Sequence, residues 1–367
     1  MNTRTSTRDS RFELLRIISM LFIIAGHYAY HGGVLENSIG VNRVLGALAH
    51  AGVYIGVNCF VLVSAYFLLN TKFSVKRVVK IEAQALFYSS LAFLIACFYF
   101  HDSITGKEAV KVFLPTIFRE YWFVTAYIGL LLLSPFLNYV IQEFTVNLPY
   151  YRNLLLVSTL MFSMIPFFMP TSTPWGNDLL WFVHLYFLMG YLKNRDCQVT
   201  SKARSGGMLF GLCFFCSFVS SIVFIWIANG IPVLNRVGVI SYLSLYKESP
   251  FQLLGAIGLF LLFANIKMRP SKWINRIAAT TFGVYLIHDN PLLRTHLWQD
   301  VLHTGQFYDS PFLGLHMIVS IAVVFLICSL VDEIRRWMGC ALKGVNIFPK
   351  LQMKIDNLFN LHSDSCA

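Results

Sequence analysis

Long apolar runs separated by short polar connections repeat along this chain. A membrane-spanning helix needs about 20 mostly apolar residues. Ten stretches fit that pattern: Phe12–Tyr30, His50–Leu69, Glu82–Phe100, Tyr121–Val140, Asn153–Met169, Leu179–Leu192, Gly207–Asn229, Phe251–Ile266, Ile277–Leu292 and Phe312–Ile334. The sixth and eighth are the short ones. Connections carry turn chemistry, as in TSTPWGND at Thr171–Asp178. None is long enough for a separate soluble domain, and no internal repeat of the inverted-repeat transporter kind is visible. The pattern predicts an all-α polytopic membrane protein with about ten transmembrane helices over residues 1–334. A basic tail over 335–367 follows, where Leu351, Ile355, Leu358 and Phe359 recur at helical spacing among Lys350 and Lys354. Such a helix is expected on an anionic membrane surface.

Composition narrows the class. Of 367 residues, 56% are apolar and 13% charged, against roughly 25% charged in soluble domains. That excludes a disordered chain, a secreted disulfide scaffold and an ordinary cytosolic enzyme. Most of the cysteines, Cys59, Cys97, Cys213, Cys216 and Cys328, sit inside apolar runs. Cys213 and Cys216 read as small apolar residues of a membrane helix, because no further zinc ligands lie nearby. No metal site is expected. The four N-terminal arginines before an apolar run resemble a signal peptide, but no small-residue cleavage site follows, so the run is read as a retained first span.

The net charge of +11 invites a nucleic-acid reading, and its distribution argues against one. With the N-terminus inside, 22 of the 29 Lys and Arg fall on inside segments and 7 outside. The positive-inside rule then puts both termini in the cytoplasm, where the excess faces anionic lipid headgroups.

Polar residues inside spans are candidates for function. Arg16 lies near the inner end of the first span and His27 eleven residues further, about 16 Å across and on nearly the same helix face. His288 and Asp289 end the ninth span near the same outer level. Arg119, Glu120, Tyr121 and Trp122 open the fourth, and Asn177, Asp178, Trp181 and His184 open the sixth. Asn58 lies in the outer half of the second. An aromatic belt and an interfacial histidine are the plain alternatives. On the inner side, Lys76, Arg77 and Lys80 cluster before the third span. They suit phosphate binding, or simply obey the positive-inside rule.

RFELLRIISMLFIIAGHY, with Arg16 and His27, resembles the first helix of the type 3 membrane acyltransferases. NCFVLVSAYFLL at Asn58–Leu69, containing Ser64, is similar to that family's second-helix motif, and KRVVK, with Arg77 and Lys80, to its basic motif. YWFVTAYIGLLLLSP at Tyr121–Pro135 and TFGVYLIH at Thr281–His288 resemble two later helices. Two positions depart: Ala65 stands for the usual Gly, and Lys80 for an Arg. The resemblance implies transfer of an acyl group, expected to be acetyl, from cytoplasmic acyl-CoA to a hydroxyl of a cell-surface or lipid-linked glycan, in a bacterial plasma membrane. Acetyl-CoA would be a co-substrate, with no bound cofactor and no nucleic acid. His27 would be the base or acyl carrier. Arg16, Lys76, Arg77 and Lys80 would hold the donor, and Asn58, Ser64, Trp122 and His288 would line the acceptor side. A transporter or flippase of a glycan or small solute is the alternative, disfavoured by the missing repeats and the few acidic residues in span interiors. Glu82 and Glu333 are expected to pair with nearby Arg or Lys. A membrane anchor without chemistry of its own is disfavoured by the lack of an attached soluble domain.

Overall fold

A computed structural model describes residues 8–168, 178–194, 203–230, 246–341 and 349–360, and every regular element in them is helical. The main helices are α1 Ser10–Tyr30, α2 Gly40–His50, α3 Val53–Leu68, α4 Val75–Phe98, α5 Gly106–Phe113, α6 Trp122–Thr145 and α7 Leu148–Thr159. They continue with α8 Asp178–Asn194, α9 Ala203–Gly230, α10 Pro250–Asn265, α11 Lys272–Ala278, α12 Thr281–His288, α13 Leu313–Ala341 and α14 Pro349–Asn360. Helix lies at all ten expected stretches. Among the described residues, six helical segments are long and apolar enough to cross a membrane: Ser10–Tyr30, Gly40–Leu68, Val75–Phe98, Trp122–Thr145, Ala203–Val223 and Leu313–Gly339. Pro250–Asn265 is a shorter apolar helix.

Several boundaries differ from expectation, and three of them bear on the site or its surroundings. The third span begins earlier, at Val75, so Lys76, Arg77 and Lys80 belong to its first turns. The second is preceded by a helix, α2, that continues almost unbroken into α3. The ninth is split into α11 and α12 at Ala279 and Thr280. Within the tail, α14 forms where the helical spacing lay. Most of the Thr171–Asp178 turn and tail residues 342–348 and 361–367 fall outside the described residues.

Burial separates centre from periphery. Of the apolar window in Gly40–Leu68, 78% is buried, against 28% for Leu313–Gly339. Leu315, Ile318, Leu326, Ile327 and Leu330 of α13 are exposed, the outward apolar face expected of a helix solvated by lipid. α1 and α3 cross closely because Gly56 faces α1: a Cβ there would meet the Ser19 carbonyl oxygen at 2.5 Å. Small residues at such crossings let helix backbones pack directly.

Backbone groups freed at irregular points find partners, as a low-dielectric setting demands. Where α2 breaks into α3, the buried Gln252 of α10 accepts from the Ile55 N–H (2.8 Å) and donates to the Ala51 carbonyl (2.9 Å). Pro135 inside α6 lacks the N–H that would reach Leu131, and the Ser134 hydroxyl donates to that carbonyl instead (2.8 Å). α4 starts with its Val75 N–H donating to Asp356 of α14 (2.7 Å), while Phe359 packs on Phe73.

Three acidic residues of the helices show how such groups are held. Glu333 pairs with Arg276 and Arg336, as expected. Glu82 pairs with no cation among the described residues: it accepts from the Thr116 hydroxyl. Asp332, fully buried, accepts at Oδ1 from Gln84, Tyr88 and Arg335; in sequence it hides among the charges ending the last span.

Candidate active site

α1 starts at an N-cap, Asp9, whose side chain accepts from the Arg11 N–H, and an acidic residue, Glu13, follows in the positive first turn. The helix ends after Tyr30, at Gly32 and Gly33. Gly33 has a φ of 75°, a left-handed backbone that glycine adopts without strain. The Gly32 carbonyl then accepts from Thr304 (3.0 Å), Tyr308 (2.8 Å) and Gln299 (3.1 Å). This anchor fixes the last turn of α1, the turn that carries His27 and His31.

The opposing wall is the end of α12. Its exit turn is held by Asn290, which donates to the Tyr121 hydroxyl (2.6 Å). That hydroxyl donates in turn to the Leu286 carbonyl (3.0 Å). Tyr121 immediately precedes α6, so the start of α6 and the end of α12 are tied together.

Between these walls His27 Nδ1 lies 3.0 Å from His288 Nε2. His288 is fully buried, and its Nδ1 lies 2.6 Å from the Val284 carbonyl. A carbonyl only accepts, so His288 Nδ1 carries the proton and, in the neutral ring, Nε2 is a lone pair. His27 Nδ1–H must then donate to it, which leaves His27 Nε2 unprotonated. The hydrogen-bond chain selects the tautomer. Asp289 Oδ1 lies 3.7 Å from His27 Nδ1, 3.4 Å from His31 Nε2 and 3.8 Å from an Arg294 nitrogen. Among the described residues it finds no hydrogen-bond donor, although it is buried.

The expected residues separate into three places. His27 and His288 meet directly. Asn58 and Trp122 belong to a neighbouring polar group. Asn58 is buried, donates to the Lys247 carbonyl (2.8 Å) and accepts from the Trp181 indole (3.0 Å). Its amide is therefore committed to holding two other elements. The Lys247 ammonium lies 5.5 Å from the Trp122 ring and pairs with Asp178 (2.8 Å) and Glu248 (2.7 Å). Arg119 reaches the same Asp178 (2.6 Å), and His184 stacks on Trp181. Ser64 is half-buried further along α3.

The third place is the far end of the bundle. Arg16 pairs with the buried Glu13 (2.7 Å) and lies over Phe67. Arg77 folds back onto the Thr71 hydroxyl (3.1 Å) and Lys72 carbonyl (3.0 Å), while Lys76 and Lys80 are exposed. Arg16 and Arg77 thus rest on separate partners.

Sequence reasoning passed over His31, Arg294 and Lys247. The i, i+4 spacing of His27 and His31 was the available signal for the first. The other two read as plain loop charges.

The signature described as an acyltransferase domain, that of the acyltransferase 3 family, matches residues 9–331. Among curated proteins and among solved structures nothing matches. The matched span takes in α1 with His27, α12 with His288, and α13 as far as Val331, so the chain belongs to the acyltransferase 3 family of membrane acyltransferases.

Proposed function

We propose that the protein transfers an acyl group, acetyl in the simplest case, from cytoplasmic acyl-CoA to a hydroxyl of a cell-surface or lipid-linked glycan, with His27 as general base. The observation that carries this reading is the Val284–His288–His27 chain, which leaves a lone pair at His27 Nε2. In the step, His27 Nε2 takes the proton of the acceptor hydroxyl as its oxygen attacks the thioester carbonyl. The tetrahedral intermediate collapses by breaking the C–S bond, and the departing thiolate takes the proton back from the imidazolium. Base assistance of this kind is worth about 10²–10⁴-fold. Asp289, beside His27 Nδ1 at 3.7 Å, stabilises the imidazolium while it lasts.

The orientation proposed from the charge asymmetry puts Arg16, Lys76, Arg77 and Lys80 on the cytoplasmic side of a bacterial plasma membrane, where the donor's phosphates would reach them. Lys76 and Lys80 are exposed and can meet an anion without first breaking a contact inside the protein. Trp122, with Lys247 beside it, suits an acceptor sugar: an aromatic face for the ring, and charged groups for its hydroxyls. Asn58 supports that surface by holding Lys247 and Trp181. Asp332, one of several buried acids, is already held by three donors at Oδ1.

The test is direct. Purified protein is incubated with radiolabelled acetyl-CoA and a panel of glycan acceptors, and CoA release and label transfer are followed. Acceptor-dependent release supports the reading. Glycan or solute movement across proteoliposomes without CoA release would favour a transporter.

A further inference from the structure

We infer that His27, His31 and Asp289 form a binding site for a divalent transition-metal ion of the zinc class. The three offer one ligand atom each, all within 4.8 Å of one another. His27 and His31 are four residues apart at the end of α1, so both imidazoles project from one face. Asp289 comes from the opposing turn. The separations decide what these contacts are. At 3.7 Å and 3.4 Å from the two imidazole nitrogens, Asp289 Oδ1 is too far for good hydrogen bonds. With zinc–ligand bonds of about 2.0–2.2 Å in tetrahedral geometry, neighbouring ligand atoms lie roughly 3.3–3.5 Å apart. The two spacings from Asp289 are close to those edges, and the three ligand atoms span at most 4.8 Å.

Asp289 Oδ1 is the second, independent observation. It is buried, accepts no hydrogen bond from the described residues, and draws three cationic or potentially cationic groups around itself. Arg294, at 3.8 Å, competes for this oxygen, but its side chain is 39% exposed and can swing into solvent. Two imidazoles and one carboxylate suit zinc and its neighbours in the first transition row. Magnesium and calcium prefer all-oxygen sets. Three protein ligands leave a fourth position open, the pattern of an accessible zinc site.

The ion would also act on catalysis. A metal on His27 Nδ1 displaces the proton donated to His288 and forces it onto Nε2, so the lone pair of the proposed base is lost. Binding would therefore silence acyl transfer. This consequence rests on the acyl-transfer reading; the binding site does not.

The full chain, purified in detergent without an affinity tag, is titrated with zinc by equilibrium dialysis, and with cobalt to read four-coordinate visible absorption. One tight zinc per chain is expected, weakened by about tenfold or more in His31→Ala and in Asp289→Asn. His296→Ala, in the separate cluster with Asp102 and Asp300, leaves this binding unchanged. Absence of tight zinc binding, or binding unchanged in both His31→Ala and Asp289→Asn, overturns the site. Binding that weakens in these variants yet leaves acyl transfer uninhibited keeps the site and removes His27 Nε2 as the base.

Discussion

Replacing His288 with alanine removes the acceptor of the His27 Nδ1 proton without touching His27. The bond lost is 3.0 Å long, and its acceptor ring is fully buried, so water does not readily take its place. Leaving a buried donor unpaired costs about 1–3 kcal/mol. His27 avoids that cost by moving its proton to Nε2 or by rotating, and either removes the base. At about 1.4 kcal/mol per tenfold, kcat should fall roughly 5- to 150-fold. That is less than the 10²–10⁴-fold expected for losing the base itself. KM for the acyl donor should stay near wild type, because donor phosphates are proposed to bind elsewhere. His288→Gln, which keeps an acceptor oxygen, should recover part of the loss. The assay is initial-rate CoA release by the detergent-purified variants, with thermal unfolding as the check on folding. A His288→Ala enzyme within about twofold of wild type in kcat, beside an inactive His27→Ala, would refute the tautomer chain.

Arg16→Ala should destabilise by about 3–5 kcal/mol, because it leaves the buried Glu13 carboxylate without its cation; Arg16→Ala with Glu13→Gln should recover most of the loss in thermal unfolding. Asp356→Ala removes the acceptor of the Val75 N–H at the start of α4 and should cost about 0.5–2 kcal/mol, as a lost helix cap does, with earlier proteolysis of α14. Burial opposes protonation of His296, and the carboxylates of Asp300 and Asp102 outweigh it, holding its pKa above the usual histidine value. The His296 clamp therefore adds stability below the ordinary histidine range and loses it as pH rises through the raised value. The effect is under about 1 kcal/mol for so exposed a pair, and unfolding of His296→Ala across that pH window should lack it. Arg77→Ala with Lys80→Ala should weaken acyl-CoA binding most at low salt; unchanged binding in detergent would make these residues topological charges only.

The apolar runs made most of the fold legible, because a helix solvated by lipid must be apolar along its whole length. Boundaries failed where that rule does not reach. Lys76, Arg77 and Lys80 hid the first turns of α4, since helix continues past the apolar layer. The break at Ala279 and Thr280 carries no strong stop signal. Within the site, the shared level of His27 and His288 was readable from span direction and helical rise. Their contact was not, because it depends on the anchoring of Gly32 by the Gln299–Tyr308 segment and on the tie from Asn290 to Tyr121. Asn58 stood out as polar inside a span, yet its partners, Trp181 and the Lys247 carbonyl, come from distant segments, and one of them is backbone. The pair Trp122 and Lys247, proposed to face the acceptor, was half visible, as the tryptophan of a helix start.

The most direct test of the account is acyl transfer by purified His27→Ala and wild-type protein, matched for folding, with radiolabelled acetyl-CoA and a glycan acceptor. The account predicts acceptor-dependent CoA release by wild type and a loss of about 10²–10⁴-fold in the variant. Near-normal transfer by His27→Ala would contradict it.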